Sequence, residues 1–268
     1  MAISAPMYFI FKLALLMDYQ VQEILSKKTG GVYCFFFNDE RYWLKAFGED
    51  KNNFVRKSSN MISKLFKSDY FKNNASSMNM NQRIEFEKKV IKLIDKSSSL
   101  APNLIKEGDG YFITKDSGTN LKNVKKERLN EGILNKIFQG LMSIHRMNIS
   151  HGRPALRDIL LSDSNEVVFI DFEEASIHPS AQLKARDFML LIIDLESLGL
   201  NNDLLEKTIT TWLKKEEQDV IDAFLKLYNI LNKAKILAKV VLIVKPKNNL
   251  SYNIIKTLED LESSLKRL

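Results

Sequence analysis

The hydrophobic pattern of this chain changes period along its length, and that change limits the fold more than any single motif does. Up to about residue 118, most apolar residues come in short β-type runs broken by turn chemistry. Val21–Leu25, Val32–Phe37 and Tyr42–Phe47 are separated by Ser-Lys-Lys-Thr-Gly-Gly and by Asn38-Asp39-Glu40-Arg41, which predicts a three-stranded meander. Pro102 and the run Tyr111–Thr114 add two further expected strands. Between them, Phe86, Val90, Ile91, Leu93 and Ile94 follow a helical spacing. Residues 48–80 are Asn- and Ser-rich, with an amphipathic patch at Phe54–Tyr70, and read as a connecting insertion with short helices. Beyond residue 118 the 3.6-residue period dominates: Leu129 to Met142 form one apolar stripe, and 188–198, 204–214, 220–237 and 254–268 repeat the pattern. The expectation is an α+β chain in which five antiparallel strands and one helix precede a mostly helical half. A boundary near Gly118–Asn120 puts a ligand cleft between the two.

Residues 149–175, ISHGRPALRDILLSDSNEVVFIDFEEA, concentrate the chemistry. His151-Gly152 opens a turn, Asp158 begins one short apolar run, and Asp171 closes another. A carboxylate at the end of an apolar strand, next to Phe172, is well placed to ligate a hard cation, and Asp158 can converge on the same ion. Each aspartate taken singly also reads as a turn cap. Lys45 lies inside the run Tyr-Trp-Leu-Lys-Ala-Phe, where an ammonium must find a partner or face water from an edge strand. Glu87 precedes Val90, Ile91 and Ile94 on one helix face and is the best partner; Glu85 points roughly 200° away at ~100° per residue. A solvated Glu87 is the alternative. His145 and His178 are isolated and form no metal site. Lys27-Lys28-Thr29-Gly30-Gly31 is the one candidate phosphate-covering loop, and an ordinary hairpin explains it equally well.

Composition narrows the function classes. The net charge is +7, which suits phosphorylated or anionic partners, including an acidic membrane surface, as well as a merely solvated lysine-rich exterior. No zinc-ligand set, aromatic-basic run or long arginine tract points to nucleic acid. Cys34 is the single cysteine, so no intramolecular disulfide forms, and its CFFF setting predicts burial. The stretch Met7–Met17 is too short to span a bilayer; it reads as a leader or interfacial helix ahead of a start near Met17.

Taken together, these residues resemble the protein-kinase-like superfamily. The likeness is greatest to bacterial atypical kinases of the lipopolysaccharide-core (Kdo/heptose) and RIO-type groups, with aminoglycoside-phosphotransferase-like enzymes more distant. It covers about residues 19–200, on the segment 141–175, Ala185-Arg186-Asp187, Lys45 and Glu87. The resemblance implies a bilobal fold with a leader at 1–17, a nucleotide-covering lobe at 18–118 and a catalytic and acceptor-binding lobe at 119–268. It implies ATP and Mg²⁺ in the cleft, Lys45 on the phosphates, Glu87 holding Lys45, and Asp171 with Asp158 on the metal. It further implies that Thr114, Asp116 and Gly118 form the hinge beside adenine, that His151 orders the metal-binding loop, and that Asp187 ties the catalytic loop to a following helix.

Two positions depart from that pattern. Counting from His151, the family's catalytic aspartate falls on Arg153, which accepts no proton at accessible pH. Arg153 can instead stabilise developing phosphoryl charge, with Asp158 binding metal or taking the base role; the transition state is loose and needs little base assistance. Glu173 stands where the family has a glycine after Asp171-Phe172. The short interval from Glu174 to Arg186, with no Ala-Pro-Glu element, favours a small or saccharide acceptor over a peptide. The leading expectation is therefore a phosphotransferase at the cytoplasmic face of the inner membrane. A pseudokinase scaffold and an atypical Ser/Thr protein kinase are the alternatives.

Overall fold

A computed structural model describes residues 5–27, 30–46, 68–72, 74–244 and 249–265. It is α+β. Helix α1 (Ala5–Lys27) is followed by β1 (Gly31–Phe37), β2 (Glu40–Ala46), α2 (Met80–Asp95), β3 (Leu104–Gly108), β4 (Tyr111–Lys115) and β5 (Thr119–Asn120). Then come α3 (Glu131–Arg146), β6 (Ile149–Ser150), β7 (Ile159–Leu161), β8 (Val167–Phe169), β9 (Ser176–Ile177), α4 (Ala181–Glu196), α5 (Asn202–Leu213), α6 (Gln218–Val244) and α7 (Asn249–Leu265).

The first sheet is antiparallel in the order β1-β2-β4-β3. Its first hairpin closes on Asn38 and Asp39, both at positive φ (+49° and +59°), the two-residue turn whose twist matches the strands and which Asn and Asp tolerate. Lys45 pairs with Val32 on one side and Phe112 on the other, so it sits on an internal strand and the edge-strand alternative falls.

The expected fifth strand, Val21–Leu25, is helical and belongs to α1, so the sheet has four strands among the described residues. The reason is visible in the spacing: Met17, Val21, Ile24 and Leu25 lie on one helix face and pack with Phe35, Tyr42, Leu44 and Ile113 on the back of the sheet. Helix α1 also runs unbroken through Met17 to Lys27, so the strand patterning expected just after Met17 is helix instead. Cys34 is exposed rather than buried, because its position on β1 faces away from that small core. The insertion patch at Phe54–Tyr70 lies mostly outside the described residues, as do Phe47, Lys28 and Thr29 of the phosphate-covering candidate.

A second, larger core joins α2 to the helical half. Ile84, Val90, Ile91 and Ile94 pack in the same cluster as Leu134, Phe138, Phe169, Phe188 and Trp212. Helix α2 begins with a capping box, in which Asn79 accepts from the Gln82 amide and Gln82 accepts from the Asn79 amide. Fixing α2 against both the sheet and the helical half gives Glu87 a defined direction. Short ladders β5-β7-β8 and β6-β9 hold the segment 149–177 beneath the first sheet. No helix of the described residues is long and apolar enough to cross a membrane.

Candidate functional site

A cavity of about 590 Å³ opens between the first sheet and the segment 157–173. Its walls include Val32, Trp43, Lys45 and Thr114 from the sheet, Glu87 and Ile91 from α2, and Asp158, Ile170 and Asp171 from below. Apolar walls with a few convergent polar groups are what a small-molecule site requires.

Lys45 carries the central contacts. Its Nζ lies 2.7 Å from Glu87 Oε2 and 2.7 Å from Asp171 Oδ1. Burial by itself would lower the ammonium pKa, but the Glu87 and Asp171 carboxylates outweigh it and raise it. Glu87 keeps only 3% of its side chain exposed. Burial pushes its carboxyl up to about 7 while Lys45 pulls it back. Glu85, two residues earlier, faces outward and pairs with Lys88. For Asp171 the penalty of burial is more than offset by Lys45, leaving its carboxyl below the usual range.

The lower wall is built by backbone geometry. Asp171 is in the left-handed region (φ +66°, ψ +56°), a conformation costing about 1–3 kcal/mol for non-glycine residues that persists where surrounding contacts enforce it. Those contacts are identifiable. The Ile170 amide donates to the Asp158 carbonyl at 2.8 Å, and His151 Nε2 donates to the Ile170 carbonyl at 3.0 Å. His151 is thus an architectural neighbour of the metal-binding candidate, with burial lowering its pKa. Its own position is fixed by Asp187, which accepts from the His151 amide at 2.7 Å and the Gly152 amide at 3.1 Å. His145 Nε2 adds a contact to the same carboxylate at 3.2 Å, so His145 is not isolated. Gly152 has φ +96°, and a Cβ there would meet the Glu174 carbonyl oxygen at 2.2 Å. Arg186 donates to the Gly152 carbonyl at 2.9 Å, closing the arrangement from the α4 side.

Asp158 lines the cavity beside Asp171. Desolvation first, and the Asp171 charge second, raise its carboxyl from 3.8 to about 6. Arg157 Nε, 3.3 Å from Asp158 Oδ1, opposes that rise. Asp158, desolvated and facing the Asp171 charge, forms with it an acidic pair on which a divalent cation would relieve Asp158. No third His, Cys, Asp or Glu completes a metal cluster among the described residues. A cation at this pair would have to complete its shell with water or ligand oxygens.

The hinge candidates fare unequally. Thr114 and Gly118 line the cavity. Gly118, at φ +120°, passes so close to the Leu161 carbonyl that a Cβ would stand 2.4 Å from its oxygen. Asp116 is occupied: Arg41 Nη2 reaches it at 2.7 Å and Trp43 Nε1 donates to it at 2.6 Å. It braces the strand carrying Lys45 rather than offering a free carboxylate to a ligand. Arg153 does not line this cavity; it lines a neighbouring groove. Arg157, which the motif reading passed over, lines both. Its position immediately before Asp158 was the signal available.

No protein-family model matches the chain. It is 24% identical over 165 residues to an uncharacterized protein of Haemophilus influenzae, a stretch covering 59% of this chain. The match spans about 60% of that relative's length. Neither comparison assigns an activity.

Proposed function

We propose that the chain is an ATP- and Mg²⁺-dependent phosphotransferase of bilobal, protein-kinase-like architecture, acting on a small or carbohydrate hydroxyl such as a lipopolysaccharide-core sugar. The observation that carries this reading is the meeting of Lys45, Glu87 and Asp171, from three separate elements, in a cavity that also holds Asp158. Phosphoryl transfer asks mainly for placed charge. Lys45, held by Glu87, would neutralise nucleotide phosphates. Asp158 and Asp171 would hold Mg²⁺, which supplies charge neutralisation on the transferring group. Thr114 and Gly118 would border the adenine end. In the transfer step the acceptor oxygen bonds to the γ-phosphorus and the bond to the β–γ bridging oxygen breaks. ADP leaves, and the hydroxyl proton passes to solvent, or to Asp158 where Asp171 alone holds the cation.

The basic net charge supports work on anionic acceptors and peripheral contact with an anionic membrane face, consistent with a cytoplasmic location. Nucleic acid is not an expected partner. The test is transfer of labelled γ-phosphate to a saccharide panel, together with a nucleotide thermal shift. Mg²⁺-dependent stabilisation and sugar phosphorylation, both abolished by Asp171→Ala, are expected. Transfer that survives Asp171→Ala sinks the reading.

A second reading, a nucleotide-binding scaffold without catalysis, is favoured by Arg153, which stands outside the cavity with no proton-accepting side chain. Its signature is a Mg²⁺-dependent thermal shift, removed by Lys45→Ala, without transfer to any acceptor. An atypical Ser/Thr protein kinase would instead phosphorylate itself, detectable by mass.

A further inference from the structure

Before it enters α2, the chain lies against the helical half. Tyr70 is 4% exposed within the larger core, and its hydroxyl donates to the Ala223 carbonyl of α6 at 2.7 Å. The Asp69 amide donates to Gln182 Oε1 of α4 at 2.7 Å. One turn further along α4, Arg186 donates from Nη1 to the Lys72 carbonyl at 2.5 Å and from Nη2 to the Gly152 carbonyl at 2.9 Å. One guanidinium thus joins this segment to the turn that follows His151. Asn74–Ser77 then form a short 3₁₀ turn against Phe172–Glu174, the residues that follow Asp171. In the first turn of α2, Arg83 is 2% exposed, and its Nε donates to the carbonyls of Ala75 at 3.1 Å and Met78 at 3.2 Å.

Arg83 and Glu87 are four residues apart, so they share one face of α2, a turn apart. A grip on Arg83 therefore fixes the rotation of the helix about its axis, and with it the direction of Glu87. The same segment bounds the turn after Asp171. Both acidic partners of Lys45 are thus referred to one stretch of backbone that is anchored in the helical half. We propose that residues 68–72 and 74–79 act as a strap that keeps Glu87 and Asp171 directed at Lys45 independently of any ligand, and that Arg83 and Arg186 are its positioning residues. Arginine suits the second place because its planar fork bonds two carbonyls in a fixed geometry, which a lysine on a flexible stem does not. The strap sets the cavity wall, and its role does not depend on which ligand the cavity takes.

The test measures α2 against the sheet in the ligand-free protein. Cys34, exposed on β1 and the single cysteine, carries one spin label; a second goes on the exposed position of α2 created by Lys89→Cys. Double electron–electron resonance then gives the distance distribution. The labelled parent should show one narrow distance. Arg83→Met should broaden it about twofold or more, and Arg83→Lys should recover part of that loss. Arg186→Gln is the deciding variant, because it removes no hydrogen bond of α2 itself: it should broaden the same distribution, which a purely local role for each arginine would not do. A parent distribution that is already broad overturns the strap. So does an Arg186→Gln distribution as narrow as the parent's, even where Arg83→Met broadens and whatever the melting temperatures. Should Arg83→Met fail to fold, Arg186→Gln, whose side chain is partly exposed, decides alone. No nucleotide enters the measurement, so failure of the phosphotransferase reading would leave its outcome unchanged.

Discussion

Replacing Asp158 by Asn should stabilise the protein and, if the proposed phosphotransferase reading holds, remove cation-dependent nucleotide binding. Folding raises the Asp158 carboxyl from 3.8 to about 6, because the folded state removes it from water and sets it beside Asp171. The sign follows from proton uptake. Between about pH 4 and 6 the folded state holds the extra proton, so stability falls as pH rises through that window. Above it the carboxylate burdens the fold by at most about 3 kcal/mol, from roughly two pKa units at ~1.36 kcal/mol each. The cavity is open to water, and screening brings the expected figure to about 1–2 kcal/mol. The contact from Arg157 that the substitution would weaken involves an exposed guanidinium and contributes little, on the order of 0–1 kcal/mol. In a chain of 268 residues that gain corresponds to a rise of roughly 2–6 °C in melting temperature near neutral pH. Paired urea titrations of wild type and Asp158→Asn from about pH 7.5 down to about pH 4 measure it directly. The difference should be largest at the high end and mostly gone at the low end. A gain that is absent, or independent of pH, would refute the idea that burial and the neighbouring Asp171 charge strain the Asp158 carboxylate.

Two further outcomes test the frame around the site. Lys45→Met should abolish nucleotide binding and destabilise by about 3–5 kcal/mol, since Glu87 is left buried and unpaired; adding Glu87→Gln should recover part of that loss in thermal melts. Gly152→Ala should cost at least about 2 kcal/mol in urea unfolding, because its φ of +96° and the nearby Glu174 carbonyl exclude a Cβ. A loss within about 0.5 kcal/mol would mean that the turn is not as tight as described.

Local signals in the sequence determined a good deal. The hairpin at Asn38-Asp39, the α+β class and the inward face of α2 were legible because they depend on residues a few positions apart. Glu87 could be separated from Glu85 by helix geometry alone, and the structure turns the first inward and the second to Lys88. Short apolar runs were not decisive. Val21–Leu25 satisfies strand composition and helix spacing at once, and only the back of the sheet, with Phe35 and Leu44, selected the helix. Tertiary structure alone decided which polar groups meet. His145 reaches Asp187 across 42 positions, and Lys45 reaches Asp171 across 126. Asp116 and Arg153 carry suitable chemistry in the motif but are directed elsewhere, one by Arg41 and Trp43, the other into the adjoining groove. Side-chain type is written residue by residue, but the burial and charge that give it a role come from neighbours the chain supplies only after it has folded.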